Sequence, residues 1–248
     1  MSKNISKDLG LRRARFNEAL AFYGEHGITP QRTKLRAMAE LVTGGDKLRF
    51  SFTKDNSLNA PLELLLDKSD LFVTTAIGLA LVIEKDGEAG MSPLLSYPLQ
   101  AGDHLPAGIA GFENANAFAI YNGKLQMRTG SAVNYSRLSL DEFLYIPEVQ
   151  PAGLLQASDD AVVSNGVLPA FQVQNVMDQM EESIVFAGTK NQPIEITFPL
   201  KAGSTFGVPA GHKAYAVLIF DGFIYEGGAA VTMKDSIKGI KNPYALNF

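Results

Sequence analysis

The chain has 248 residues, 46% hydrophobic and 19% charged, with a net charge of −4 and no cysteine. That balance suits one large or two ordinary globular domains with a substantial core. It excludes disulfides, cysteine metal sites and a thiol nucleophile, and it argues against an indiscriminate nucleic-acid binder.

The opening residues, MSKNISKDLG, lack the apolar core of a secretory signal. The longest apolar stretch, Leu71 to Ile83, is too short to span a bilayer, so a soluble, cytoplasmic product is expected. Charge is uneven along the chain. Through residue 40, eight basic residues (Lys3, Lys7, Arg12, Arg13, Arg15, Arg32, Lys34, Arg36) stand against four acidic ones, leaving this segment at +4 and the remainder at −8. Such asymmetry fits either an end that faces something anionic or a solvated helix face. Leu9, Phe16, Ala19, Leu20 and Tyr23 fall at helical spacing, and Gly24 and Gly27 stop that helix. Thr29-Pro30 predicts the start of a second helix, Gln31 to Val42, ended by Gly44-Gly45. Residues 1–46 therefore read as a helical basic arm.

From residue 47 the character changes. KLRFSFT alternates Leu48, Phe50 and Phe52 with polar residues, the period of a half-buried strand. Candidate strands follow at LELLLD, LFVTTAI, LALVIEK, LLSYP, AFAIY, KLQMR, AVNYS and FLYIP, then at GLLQA, AVVSN, AFQVQ, SIVFAG, IEITFP, AYAVLIF, FIYEG and AAVTM. Short strands with turn signals every ~8–12 residues are the pattern of β-sandwiches and barrels. SLDEF is a capped helical turn, and Pro147 and Pro151 bracket an extended connector. The expected organisation is all-β: a first eight-stranded jelly roll over 47–150 and a second over 151–248.

An internal echo supports two similar halves. LSYPLQAG at 95–102 returns as ITFPLKAG at 196–203, 101 positions on. Each copy leads through a loop to an apolar run, AFAIY or AYAVLIF, and then to Asn122-Gly123 or Asp221-Gly222. These dipeptides between apolar runs predict type I′ hairpin turns. The readings are a duplicated β module or convergence on common turn residues.

Little in the sequence suggests catalysis. The three histidines, His26, His104 and His212, form neither His-x-His nor His-Glu-x-x-His. No nucleophile elbow, phosphate-binding loop or dinucleotide fingerprint occurs. The carboxylate neighbours Asp159-Asp160 and Glu181-Glu182 would point to opposite faces of a strand. Asp67 and Asp70 flank a turn and are weak candidates for Ca²⁺. Tryptophan is absent, and Tyr121, Tyr135, Tyr145 and Tyr225 would have to supply any sugar platform. The expectation is a protein that is not an enzyme and needs no cofactor.

Two consecutive jelly rolls behind a short basic arm resemble the double jelly-roll major capsid proteins of tailless icosahedral phages with an internal membrane. The stretch FAIYNGKLQMRTGSAVNYSRLSLDEFLYIPEVQPAG is similar to coat-protein segments of small lipid-containing phages. The resemblance covers about residues 47–248 and rests on turn and strand patterns. It implies a structural coat protein made in the host cytoplasm and carried in the virion shell. Homotrimers would form pseudo-hexameric units of the capsid lattice, with minor capsid or penton proteins as further partners and no specific nucleic-acid sequence recognised. Arg12, Arg13 and Arg15 would face an internal lipid membrane or genome, or pack on the chain's own domain. The tail KNPYALNF would anchor on a neighbour or on its own domain. The alternative class is a two-domain jelly-roll receptor- or carbohydrate-binding module, such as a phage spike; a cupin-like enzyme is a third.

Overall fold

A computed structural model of the chain describes residues 16–54, 62–95, 111–129, 132–144, 177–179, 184–189 and 194–231, with only the backbone of 128, 129, 132–137 and 177–179. A helix α1 over 16–24 precedes nine strands: β1 Gln31–Glu40, β2 Lys47–Phe50, β3 Leu71–Lys85, β4 Lys124–Thr129, β5 Ala132–Ser139, β6 Met177–Gln179, β7 Val185–Ala187, β8 Ile194–Thr197 and β9 His212–Tyr225. The described protein is mostly β, as composition and patterning predict.

The strands form two antiparallel sheets. One runs β1-β9-β3-β6, with β7 also paired to β3; the other runs β2-β8-β4-β5. Five of the pairings are nested. β4 pairs with β5, β3 with β6 and β7, β2 with β8, and β1 with β9. This is one long hairpin folded over on itself, so that successive nested pairs lie alternately in the two sheets. β9 then also pairs with β3, and β8 with β4, which closes each sheet. The sheets pack face to face. A single cluster of buried side chains joins Leu35, Leu79, Leu81, Leu218 and Phe220 of one to Leu48, Phe50, Leu125, Met127, Ile194 and Ile196 of the other.

Several expectations are corrected here. Gln31–Glu40 is a strand, not a helix. Ala, Arg, Lys, Met and Glu favour a helix intrinsically, but Leu35 and Ala37 are buried at a period of two, and ten consecutive residues pair with β9. Tertiary pairing overrides local preference. Both sheets also mix strands from before and after residue 150, so the division into 47–150 and 151–248 does not correspond to the sheets. LFVTTAI and LALVIEK are one strand, β3, and AYAVLIF and FIYEG are one strand, β9. The second of these joins disposes of the Asp221-Gly222 hairpin. Both residues lie inside β9, beside an irregularity in β3 between Thr74 and Ala76. A Cβ on Gly222 would stand 2.1 Å from the Val73 carbonyl oxygen and 2.9 Å from the Phe72 ring. Glycine is needed there because a neighbouring strand approaches closely, not because φ is positive.

AFAIY is not a strand either. Ala115–Ile120 is a 3-10 helix whose N-cap Asn114 accepts from the Asn116 N–H at 3.0 Å. Asn122-Gly123 does turn the chain, since the Gly123 N–H donates to the Ile120 carbonyl at 2.9 Å. It joins that helix to β4 rather than two strands. Of the first echoing octapeptide only Leu95 lies among the described residues. Leu95 bridges β3 at Leu81, whereas Ile196 lies in β8 between Leu48 and Leu125. The Asn122-Gly123 and Asp221-Gly222 dipeptides are not equivalent in the fold, so the expected pair of matching hairpins is not found. SLDEF forms a helical turn as expected, the 3-10 helix Asp141–Phe143. In LELLLD only Leu64 and Leu66 make isolated bridges, and the described part of AAVTM is helical. GLLQA, AVVSN, AFQVQ and the connector at Pro147 and Pro151 lie outside the described residues.

Candidate functional site: the outward face of the five-stranded sheet

The predicted site residues do not converge. Arg12, Arg13, Arg15, His104, Tyr145, Asp159, Asp160, Glu181 and Glu182 lie outside the described residues, and Tyr135 is described only as backbone in β5. Asp67 and Asp70 have different surroundings. Asp70 is buried, and its Oδ1 accepts from the Gly227 N–H at 2.8 Å and the Ser69 hydroxyl at 3.0 Å. It pins the turn after β9 to the loop before β3. Asp67 is a surface group whose Oδ1 lies 3.4 Å from Lys54 Nζ. Among the described residues no group of three His, Asp or Glu gathers as metal ligands would, and no helix is long and apolar enough to cross a membrane.

Tyr121 and Tyr225 are core residues. Tyr121 is buried, and burial pushes its hydroxyl pKa well up. Tyr225 packs on Tyr23 with ring centroids 4.7 Å apart. His26 is exposed beside Phe22. His212 opens β9 with Nδ1 3.0 Å from the Ala210 carbonyl, at a cleft of about 230 Å³ that Glu40, Thr205, Phe206 and Lys213 also line. That is below the ~300–1,000 Å³ of most small-molecule sites.

The most organised surface is the side of the five-stranded sheet turned away from the core. Strand alternation builds it. On β9, Ala214, Ala216, Leu218 and Phe220 point into the core, so Tyr215, Val217, Ile219, Asp221, Phe223 and Tyr225 point outward. On β1, Leu35 and Ala37 point inward, so Arg32, Lys34, Arg36 and Met38 point outward. One end of the face is covered by α1, through Ala19, through Tyr23 on Tyr225, and through Phe16 on Phe223 at 4.9 Å. Further along, Ala80, Val82, Val217 and Ile219 are buried beneath Leu62 and Leu94.

Charge divides this face. Arg32, Lys34 and Arg36 form a basic row on β1. Arg32 bonds Asp221 Oδ2 at 2.8 Å, which raises its pKa, and hydroxyls of Thr74 and Thr75 donate to the Asp221 carbonyl. Arg36 has its pKa lowered by burial. At the opposite end Tyr215 has its pKa raised, by burial first and then by Glu40, Glu84 and Asp86. The sequence carried the charges of the basic row in plain view. What hid it was the helix assignment, since only a strand puts positions 32, 34 and 36 on one side.

No family model, curated protein or solved structure matches this chain.

Proposed function

We propose that the chain is a structural coat protein that assembles with copies of itself into a closed shell, and that its building block is a single jelly roll made by the two described sheets. The observation that carries this reading is the nested pairing of first strand with last, second with next to last, and so inward. That winding is how a jelly roll forms two Greek keys, and the fold recurs in viral capsids, lectins and cupins. Two features favour the shell among these. The side chains meeting between the sheets are apolar and aromatic, Phe50, Phe52, Phe186, Phe198 and Phe220 among them, where a cupin needs converging metal ligands. The stretch FAIYNGKLQMRTGSAVNYSRLSLDEFLYIPEVQPAG, which resembles coat-protein segments, also runs through β4 and β5 of this roll.

The single roll changes the assembly arithmetic. A double roll brings two wedges per chain, so three chains imitate a hexagon. One roll per chain brings one wedge, and six chains are needed for the same outline. Other copies, minor capsid or penton proteins at the vertices and an anionic interior are the partners on this reading.

Light scattering and negative-stain microscopy of the purified protein test it. Trimers or larger units closing into shells are expected, with permanent contacts burying more than about 2,000 Å². A monomer that persists at high concentration would overturn the reading and favour a binding module.

A further inference from the structure

We propose that the outward side of β1 is a binding ridge for the sugar–phosphate backbone of a polynucleotide, engaged without regard to base sequence; the net charge of −4 argues against such binding by the chain's surface at large, and the proposal rests on cations gathered on this one strand. The inference goes beyond the shell reading and stands whether or not shells form.

Arg32, Lys34 and Arg36 are alternate residues of one straight strand, so their side chains leave the sheet in a line about 7 Å apart. That spacing suits successive phosphates along a polynucleotide backbone, which a row of cations can track. Arg32 is 71% exposed and shares its charge with Asp221. Lys34 and Arg36 have no ion pair among the described residues. Arg36 is part-buried, with burial lowering its pKa, and the Glu63 carboxylate accepts from the N–H of Met38, further along this strand, at 3.2 Å. A phosphate oxygen would meet Arg36 with charge-assisted, bidentate hydrogen bonds.

One further feature concentrates the field. Glu40, Glu84 and Asp86 lie about Tyr215 at the other end of the face. A polyanion is drawn to residues 31–36 and turned away from residue 40 onward.

A membrane would need apolar side chains standing beyond the cations. Here the outward apolar residues Ala80, Val82, Val217 and Ile219 are buried. Leu20 and Leu64 are exposed but single, which is ordinary on any surface.

The test is fluorescence anisotropy of the unassembled protein with labelled oligothymidylate, across a salt series. Binding is expected with a log–log salt slope of about −2, as for two or three phosphates on a single strand. Lys34→Glu with Arg36→Glu should weaken it at least tenfold and make the slope shallower by about 0.7 per lost contact. Asp221→Asn, which releases Arg32, should strengthen it. Lys47→Glu with Lys124→Glu makes the same charge change on the other sheet and should leave most of the binding. Circular dichroism checks folding, and if the reversal pair unfolds, Lys34→Gln with Arg36→Gln replaces it. Equal losses from both pairs would reduce the effect to net charge and overturn the ridge. So would absence of oligothymidylate binding, including the case where vesicles of phosphatidylserine and phosphatidylcholine bind in a ridge-dependent way instead.

Discussion

Strands β3 and β8 are both interior strands of antiparallel sheets, yet their surfaces differ completely. β8 alternates: Ile194 and Ile196 are buried while Glu195 and Thr197 are not. Its neighbours repeat the pattern, with Leu48 and Phe50 inward and Lys47 and Arg49 outward. In β3, all but two of the fifteen residues are buried. The four-stranded sheet thus has one face in the core and one toward solvent. The five-stranded sheet is a middle layer, with the core on one side and α1 and loop residues on the other. An antiparallel sheet usually leaves one face wet; the continuous apolar run of β3 records that this one does not at its centre, where only the outer strand β1 keeps a polar outward side. Most of the buried surface therefore lies in the five-stranded sheet, while the outer side of β2 and β8 is free for polar contacts.

The largest effect is expected in the core that the two sheets share. Phe220 is fully buried between Phe52 and Phe186, at ring centroid distances of 4.8 and 5.0 Å. Phe220→Ala should cost about 3–5 kcal/mol, read as a fall in the urea midpoint at unchanged slope. A loss under about 1 kcal/mol would mean that the middle layer is not the anchor. On the outer face of the same sheet, Tyr23→Ala removes the residue that seats α1 on Tyr225. About 2–3 kcal/mol should go, concentrated in the covered end. Hydrogen exchange should quicken at Leu71–Val73 and Phe223–Tyr225 while β2 and β8 keep their protection. Uniform quickening would show that the two layers do not melt separately.

Alkaline titration gives a smaller effect with a definite sign. The Tyr215 pKa is raised in the folded protein, so this group adds stability that is complete below its unfolded pKa of about 10. The contribution is lost as pH climbs through the higher folded value. Tyr215→Phe should flatten the decline of the melting temperature above about pH 10; an unchanged decline would remove Tyr215 from its causes. The smallest effect belongs to the wet face. Arg49 and Glu195 pair across β2 and β8 at 3.2 Å, with the arginine 81% exposed. Arg49→Ala should cost no more than about 0.5 kcal/mol, and a larger cost would show that this face is covered after all.

Much of the β content was legible because period-two burial leaves a direct trace. KLRF, KLQMR and IEIT are strands where alternation places them. β1 was not legible. Its alternation is Leu35 and Ala37 within a helix-favouring composition, and the deciding partner, β9, is distant in sequence. Asp221-Gly222 misled for a related reason. The dipeptide carries a strong local meaning, but its glycine answers to the crowding of Val73 against it, a contact no local window contains. The basic row was legible as charge and illegible as geometry, for its geometry follows from β1.

The nested pairing has a kinetic consequence. β4 and β5 are neighbours along the chain and can meet at once, at the cost of a very short loop. The Arg32–Asp221 contact joins positions 189 apart, and Arg49–Glu195 joins positions 146 apart. Loop closure is cheapest for the innermost pair and is lowered for each outer pair by the one already formed. The protein should therefore close like a zip from β4–β5 outward, slowly, as chains dominated by remote pairings do. On the ribosome β1 emerges early and must wait for β9, with its cationic row as the charge that keeps a lone edge from pairing with another chain in the meantime.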